Sequence, residues 1–238
     1  MGPPKCFRYA PAKCLDAADM TTRPVLSVMA RWPAAGRCKR RLGMDLHNTL
    51  SLAEPNERAA RIQQRLCSHT LAVARELQAS GALRLSLAVS GLGPGCAQRW
   101  GKTLGAETTL LQGNGSLGSR LRRQAIRTRR RHRTASQFII GTDLPALSCH
   151  DLLDAVALLE RNDVVLGPAA DGGYWLIGLS SQLLTRPACW PFSGIPWGGS
   201  AVLESTLHFC QQAQLKTGLL PLRDDIDHLR DLKPWLSF

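Results

Sequence analysis

The stretch DVVLGPAADGGYWLIGL, residues 163–179, decides the fold class because two apolar runs flank one short polar loop. Each run has the length and the aliphatic or aromatic content of a buried strand. The loop places Asp171, Gly172 and Gly173 between them, which is a carboxylate held on flexible backbone. These glycines predict a tight hairpin turn, a loop that presents the acid to a bulky ligand, or both at once.

Strands and helices alternate along the remaining sequence. Apolar runs predict further strands at residues 24–30, 83–89, 108–112, 138–141 and 218–222. Helices are predicted at residues 57–80, 117–133, 151–161 and 200–214, with Leu117, Leu121 and Ala125 as the inward stripe of the second. Because such an alternation needs crossover connections, the sequence predicts a mostly parallel central sheet with helices on both faces.

Length and composition indicate one α/β domain. The 238 residues with 44% apolar content are enough for one sizeable core, which we expect to comprise residues 21–238. Residues 1–20 show no hydrophobic period and are predicted to be a flexible leader outside that core. No apolar run approaches the ~20 residues that cross a bilayer. The eight cysteines form no CxxC pair, and no signal sequence precedes them, which favours reduced thiols and a cytoplasmic location.

The formal charge of +12 is concentrated in two segments. Residues 120–133 hold eight arginines and no acid, and residues 31–41 form a second basic cluster. A basic helix of this kind is typically a solvated surface, although it can also bind RNA, a membrane or another polyanion. A protein that binds single-stranded nucleic acid needs aromatic side chains on which the bases stack. No aromatic residue lies among these arginines. Binding of nucleic acid through this helix therefore stays the less favoured hypothesis.

Charged residues follow several predicted strands, which is where an open parallel sheet binds its ligands. The basic loop RWPAAGRCKRR follows the first strand, and acids follow three later strands at Asp143, Asp171, Asp224, Asp225 and Asp227. Since Mg²⁺ binds one or two carboxylates together with phosphate oxygens, this arrangement suits a phosphorylated nucleotide with a divalent metal. An Asp ahead of a helix is often only an N-cap, and that alternative stays open for Asp143 and Asp227.

The basic loop provides what nucleotide phosphates require. Lys39 and its arginine neighbours would neutralise phosphate charge, and Gly36 would let the backbone approach the phosphates closely. A dehydrogenase of the Rossmann type is disfavoured, because no GxGxxG motif follows the first strand.

Six segments together resemble one known family. In chain order they are VMARWPAAGRCKRRLG, QGNGSLGSRL, IIGTDLPAL, DVVLGPAADGGYWLIGL, WGGSAVLESTL and DDIDHLRDL, within residues 24–232. They resemble the small GT-A-type transferases found beside radical SAM and selenodomain proteins, usually described as glycosyltransferases and in some members tied to arsenosugar biosynthesis. More distantly, the chain is similar to molybdenum-cofactor and phospholactate guanylyltransferases. The resemblance implies a single-domain GT-A-like fold, that of the nucleotide-diphospho-sugar transferases.

The same resemblance implies roles for individual residues. Those implied to bind the nucleotide and its phosphates are Arg31, Gly36, Lys39, Arg41, Gln112, Gly113 and Gly115. Asp143 takes the catalytic, metal-binding position, and Asp225 or Asp227 takes the second acidic position for Mg²⁺ or Mn²⁺. The residues implied to face the donor sugar or the acceptor are the catalytic Asp171, then Gly172, Gly173 and Trp197.

Two reactions fit such a site. In glycosyl transfer, a nucleoside diphosphate leaves the anomeric carbon of an NDP-sugar and the sugar passes to a small acceptor. In nucleotidyl transfer, a phosphate oxygen of the acceptor attacks the α-phosphorus of an NTP, and pyrophosphate leaves. The resemblance favours a metal-dependent glycosyltransferase, whereas the residues alone leave the guanylyltransferase-like reaction open.

Overall fold

The computed structural model describes residues 22–235, without the side chains of residues 234 and 235. The predicted leader, residues 1–20, lies outside the described residues. The strands are β1 Val25–Arg31, β2 Arg84–Ser90, β3 Thr108–Leu111, β4 Gln137–Ile140, β5 Val164–Pro168, β6 Tyr174–Leu179 and β7 Thr217–Leu219. They form one seven-stranded sheet in the order β3-β2-β1-β4-β6-β5-β7.

Neighbouring strands of this sheet run parallel except at β6, which is antiparallel to β4 and to β5. The hairpin of β5 and β6 is the one that residues 163–179 predict, with Leu166 opposite Ile177. The predicted mostly parallel sheet is therefore confirmed. Because β6 runs against its neighbours, its first residues lie at the edge where β4 and β5 end.

Helices cover both faces of the sheet. They are α1 Arg40–Leu50, α2 Pro55–Ala79, α3 Pro94–Thr103, α4 Leu117–Arg131, α5 Cys149–Leu159, α6 Ser181–Leu184 and α7 Val202–Gln212, with short 3-10 segments at Pro187–Cys189 and Leu229–Trp235. Apolar side chains of α2, α3 and α5 pack on one face, and those of α4, α6 and α7 pack on the other. Since both faces are covered, β1 is buried along nearly its whole length, as its apolar run predicts. Within the described residues, every helix is too short or too polar to span a lipid bilayer.

The arginine-rich helix α4 differs from its predicted inward stripe in one residue. Leu121 and Ala125 are buried, but Leu117 is 46% exposed, so the prediction for Leu117 is wrong. Gly118 takes its place on the inward face, because a Cβ there would lie 2.4 Å from both the Phe192 carbonyl oxygen and Trp197 Nε1. The helix thus packs by close backbone approach where the sequence suggests a leucine contact.

Five half-exposed arginines of α4 donate hydrogen bonds to main-chain carbonyls, which the prediction of a solvated basic surface does not include. The pairs are Arg120 with Gly115, Arg122 with Pro187, Arg123 with Gln112 and Asn114, Arg127 with Leu111, and Arg129 with Leu184. Arg120 and Arg123 bind the segment that follows β3, and Arg127 binds Leu111 at the end of β3, so that these residues are fixed against the helix. Arg130, Arg131 and Arg133 remain exposed.

Candidate active site

The candidate site lies at the carboxyl ends of β1 and β4, where the strand order of the sheet reverses. Two adjoining cavities open there. The first, which we call the cationic cavity, has a volume of about 500 Å³, and its polar lining includes Arg31, Arg37, Lys39, Arg40, Arg41, Gln112 and Arg120. The second, the acidic cavity, has a volume of about 390 Å³, and its lining includes Asp143, Asp171, Trp197, Asp225 and Asp227. Arg41, Asp143 and Asp227 line both cavities and so mark their boundary.

Lys39 is the centre of this boundary. Its Nζ lies 2.7 Å from Asp143 Oδ1 and 3.3 Å from Asp227 Oδ1, and it donates a hydrogen bond to the Ile226 carbonyl oxygen. Only 3% of the side chain is exposed. Three oxygens from two distant parts of the chain therefore surround one ammonium group.

The backbone of Lys39 is held in an uncommon conformation. The residue is the N-cap of α1 with φ 45° and ψ 47°, in the left-handed region, and its side chain makes no capping hydrogen bond. A residue with a Cβ costs roughly 1–2 kcal/mol there relative to the right-handed region. The fold accepts this strain and so directs the ammonium inward, towards the acids. Strain of this kind is typical of functional sites.

The ionisation of Lys39 follows from two opposing effects. Burial by itself would lower the pKa of the ammonium, but the carboxylates of Asp143 and Asp227 outweigh burial and raise that pKa above its ordinary value. Lys39 is therefore protonated at neutral pH.

Asp227 does not serve as an N-cap, the alternative that its sequence context leaves open. Its Oδ2 lies 3.1 Å from Arg41 Nη1, and its other oxygen faces Lys39. Asp231 instead accepts hydrogen bonds from the backbone N–H groups of Asp227 and His228, and Asp45 of α1 accepts one from Leu229. Because Asp231 and Asp45 accept the hydrogen bonds at the start of this 3-10 segment, the Asp227 carboxylate is left to face the site.

The remaining predicted phosphate residues lie at different distances from this centre. Arg31 lines the cationic cavity, and its Nη1 donates to the Arg37 carbonyl oxygen at 2.8 Å. Gly36, with φ 69°, lines a separate cavity of about 360 Å³, together with Arg31 and Arg37. The structure thus places Gly36 beside the cationic cavity and not in it.

Gln112 is held in place at the start of the loop after β3. Its Nε2 donates to the carbonyl oxygens of Ala30 (3.1 Å) and Ala88 (3.0 Å), and only 5% of the residue is exposed. The side-chain oxygen accepts a hydrogen bond from Arg120 Nη1 at 3.5 Å. Because both amide hydrogens are engaged, the second lone pair of this oxygen is the group that can accept a further hydrogen bond in the cationic cavity. Gly113 and Gly115 both have positive φ, 76° and 104°, and line neither of the two cavities.

The loop after β5 presents Asp171 to the acidic cavity. Its Oδ1 accepts a hydrogen bond from the Gly173 N–H at 2.8 Å, which leaves the other carboxylate oxygen for a ligand. Gly172 has φ 87°, and a Cβ there would lie 2.0 Å from the Ser200 carbonyl oxygen. The Leu203 N–H also donates to the Gly172 carbonyl oxygen at 2.9 Å, so the loop is fastened to the start of α7. The glycines therefore make the turn and also allow this contact.

Aromatic side chains form one wall of the acidic cavity. Trp197 packs edge-on against Tyr174 with 6.1 Å between ring centroids, and Tyr174 and Trp175 line both cavities. The sequence predicts only a strand for Tyr174 and Trp175. The signal that was missed is the direction of β6, since an antiparallel strand begins at the edge where parallel strands end.

Gln63, which the sequence does not single out either, holds the residue that precedes Asp143. Gln63 of α2 donates to Thr142 Oγ1 at 2.9 Å, and both residues are buried. This bond fixes the residue that precedes Asp143. In the sequence, Gln63 is an unremarkable polar position of an amphipathic helix, and no pattern distinguishes it.

Ionisation of the Asp225 carboxyl group is disfavoured in the folded protein. Burial first, and then the nearby carboxylates of Asp171 and Asp227, raise the pKa of Asp225 to about 6. An acid whose pKa is raised by burial and by like charges in a cavity is a candidate functional residue.

We expect Asp225→Asn to stabilise the protein at neutral pH. The folded-state pKa of about 6 exceeds the ordinary value of 3.8, so the folded state binds more protons than the unfolded state between these values. Stability is thus lost as the pH rises from about 4 to 6, and the variant should regain about 1–3 kcal/mol at pH 8 but little at pH 4. Urea denaturation across this pH range measures the effect. The exposed Asp224→Asn variant is the control, and an equal gain in that variant would contradict the explanation.

The acids of the boundary fit a divalent metal that takes further ligands from a substrate. Asp143 and Asp227 already converge on one cation, the ammonium of Lys39. Among the described residues, no group of three His, Cys, Asp or Glu side chains could hold a metal without other ligands. Mg²⁺ typically binds one or two carboxylates and completes its shell with phosphate oxygens and water. The donor set therefore suits a metal that binds together with a nucleotide phosphate.

Comparison with protein families gives one match. The profile of a family described as "Uncharacterized protein conserved in bacteria (DUF2064)" matches residues 71–199, more than half of the chain. No curated protein matches the sequence significantly.

Solved structures share the fold. A protein of Desulfovibrio desulfuricans G20, provisionally described as a nucleotide-diphospho-sugar transferase, superposes with a TM-score of 0.74 at 24% identity over 91% of this chain and 87% of that one. The 4-diphosphocytidyl-2C-methyl-D-erythritol synthase of Anaerococcus prevotii DSM 20548 gives 0.57 at 8% identity, over 92% and 100% of the two chains. Rv0371c of Mycobacterium tuberculosis H37Rv, in complex with manganese, gives 0.50 at 18% identity, over 91% and 99%. At these identities the likeness shows the fold, which is the expected one.

Proposed function

The chain belongs to the DUF2064 family, and we propose that it is a transferase with a nucleotide-activated donor, acting as a metal-dependent glycosyltransferase that moves a sugar from an NDP-sugar to a small acceptor. The observation that carries this proposal is the contact of Lys39 with Asp143 and Asp227 at the boundary of two cavities of opposite charge. Cations on one side suit the diphosphate of a donor. The acids at the boundary would hold a divalent metal, which would offset the negative charge of that diphosphate.

The charge of the acidic cavity supports glycosyl transfer over nucleotidyl transfer. Its charged lining consists of four carboxylates and one guanidinium, namely Asp143, Asp171, Asp225, Asp227 and Arg41. The acceptor in nucleotidyl transfer attacks through a phosphate oxygen, and these carboxylates would repel it. A neutral hydroxyl acceptor meets no such repulsion, and the wall of Tyr174 and Trp197 can pack against the apolar face of a sugar ring.

In this proposal the residues of the cationic cavity bind the donor, and those of the acidic cavity act on the acceptor. Lys39, Arg41 and Arg31 bind the donor diphosphate, and Gln112 accepts a hydrogen bond from the nucleoside, with Gly113 and Gly115 shaping its loop. A divalent metal, Mg²⁺ or Mn²⁺, held by Asp143 and Asp227 with Asp225 nearby, would stabilise negative charge on the leaving diphosphate. Asp171 removes the proton of the acceptor hydroxyl as its oxygen bonds to the anomeric carbon, and the bond from that carbon to the diphosphate breaks. Gly172 and Gly173 hold Asp171 in place, and Trp197 borders the sugar.

Asp171→Asn should lower kcat by about 10²-fold, because an amide cannot take the acceptor proton. The KM for the donor should change little, since Asp171 lines the acidic cavity and not the cationic one. Steady-state hydrolysis of the preferred NDP-sugar, with water as acceptor, measures both constants. Asp224→Asn is the matched control, and unchanged kcat in the Asp171 variant would remove the proposed base.

The number of cationic side chains in the cationic cavity makes nucleotidyl transfer the second candidate. Six cationic side chains line it, which is enough for a triphosphate. The fold is also shared with the Anaerococcus prevotii synthase, whose name indicates a cytidylyl product. The guanylyltransferase-like reaction is therefore the alternative to test.

The products distinguish the two reactions. The protein is incubated with each NDP-sugar or NTP, with Mg²⁺ or Mn²⁺ and a mixture of sugars, polyols and phosphorylated small molecules. We expect free nucleoside diphosphate from an NDP-sugar and no pyrophosphate from any NTP. Pyrophosphate release from an NTP, with no turnover of NDP-sugars, would replace glycosyl transfer by nucleotidyl transfer.

A further inference from the structure

We propose that Lys39 occupies the metal position in the free protein, so that the divalent metal binds only after a nucleoside diphosphate has drawn the Lys39 ammonium away from Asp143 and Asp227. This inference rests on the proposed function and adds an order of binding to it. The nucleotide binds first, through the cations of the loop after β1, and the metal completes the complex.

The contacts of the ammonium support this order. An ammonium has three N–H donors, and Lys39 Nζ has three oxygen neighbours. They are Asp143 Oδ1 at 2.7 Å, Asp227 Oδ1 at 3.3 Å and the Ile226 carbonyl oxygen. Lys39 thus donates hydrogen bonds to Ile226 and Asp227 and forms an ion pair with Asp143, and its two carboxylate partners are the groups that a metal would use. With the side chain only 3% exposed, water cannot readily replace them.

Charge gives the second argument. A divalent ion placed between Asp143 and Asp227 would lie close to the Lys39 ammonium, which contacts both of these carboxylates. Like charges at that distance repel strongly in a partly buried site. The ion and the ammonium therefore compete for one pair of acids, and the metal cannot simply join them.

A diphosphate resolves this competition. Lys39 lines the cationic cavity as well as contacting the acids, so a phosphate group in that cavity offers it new oxygen partners. Once the ammonium binds phosphate, the carboxylates of Asp143 and Asp227 face an open position beside further phosphate oxygens. Two carboxylates with phosphate oxygens form the ligand set that Mg²⁺ prefers.

The direct test removes the ammonium but keeps the side-chain bulk. We expect Lys39→Met to bind Mn²⁺ in the absence of any nucleotide at least tenfold more tightly than the unchanged protein does. The electron paramagnetic resonance signal of free Mn²⁺ measures this affinity without any enzymatic assay. Arg40→Ala is the matched control, because Arg40 is the adjacent exposed cation at the start of α1 and forms no ion pair with either acid, and this variant should gain nothing. The double variant Lys39→Met with Asp143→Asn should lose the gain.

A measurement on the unchanged protein keeps the inference testable if Lys39→Met does not fold. Calorimetric titrations with UDP, GDP, CDP and ADP in EDTA should show one that binds without metal, whereas Mn²⁺ alone should show no binding. Equal Mn²⁺ affinity of the unchanged protein and Lys39→Met, or nucleotide binding that needs Mn²⁺ to be present first, would overturn the order proposed here. Absence of binding by every nucleotide, with and without Mn²⁺, would overturn the proposed function itself.

Discussion

Asp143→Asn should lower the transfer rate at least about 10³-fold while the protein remains folded, the largest catalytic effect that the site predicts. The amide keeps the shape of the side chain but removes the charge that faces Lys39 and that the proposed metal requires. The Asp143 carbonyl oxygen accepts a hydrogen bond from the Ile226 N–H at 3.0 Å, and this backbone contact is unaffected by the change. We expect a stability loss of about 1–3 kcal/mol, since Lys39 keeps Asp227 and Ile226 as partners.

The measurement is turnover of the preferred donor with saturating Mn²⁺, beside a thermal unfolding curve of the same sample. Asp154→Asn is the control, because Asp154 is an acid of α5 that pairs only with His150 among the described side chains. Full activity of Asp143→Asn would mean that this carboxylate does not take part in the reaction.

Gly172→Ala should destabilise the protein by about 2–5 kcal/mol, through backbone strain at positive φ and through overpacking. The residue has φ 87°, and the new Cβ would lie 2.0 Å from the Ser200 carbonyl oxygen and 2.7 Å from the carbon that carries it. Both atoms are backbone, so the clash is relieved only if the loop moves away from the start of α7. Asp171 would move with it, and catalysis should fall together with stability.

Gly198→Ala separates the two causes. Gly198 has a closely similar φ of 89° but no atom within 4 Å of its would-be Cβ, so it reports the strain alone, about 1–2 kcal/mol. Urea denaturation of both variants gives the difference. Equal losses would show that contact of the loop with Ser200 does not constrain Gly172.

The sheet and the position of the site were predictable because they depend on local patterns and on one rule of topology. Short apolar runs identify the strands, and acids or cations directly after parallel strands must share an edge. This is why Asp143 and the loop of Lys39 could be expected together from the sequence. The pairing of Lys39 with Asp227, 188 residues away, could be expected only in outline.

Other features depend on packing that the sequence does not display. Helix α1 follows a left-handed Lys39 and buries only Leu42, Gly43 and Leu46, which is too weak a period to recognise. Helix α3 begins at Pro94 inside a glycine-rich segment that is typical of a turn. The arginines of α4 have the composition of a solvated surface, and only the structure shows their carbonyl partners.

Helix boundaries were predictable to within a few residues. Helix α5 was predicted to begin at Asp151, whereas it begins at Cys149, because Ser148 and Asp151 form a capping box. In a capping box the acid occupies the third position of the helix. An acid that the sequence suggests as the first helical residue therefore lies about one turn inside the helix. Ser116, likewise, is the N-cap of α4 and accepts a hydrogen bond from the Ser119 N–H.

Thermal unfolding with nucleoside diphosphates and NDP-sugars, with and without Mn²⁺, tests most directly whether Lys39, Asp143 and Asp227 form a nucleotide site. We expect at least one of these ligands, at about 100 times its Kd, to raise Tm by roughly 5–10 °C, with a smaller rise in Asp143→Asn when Mn²⁺ is present. If no nucleoside diphosphate or NDP-sugar raises Tm under either condition, the site does not bind an activated nucleotide.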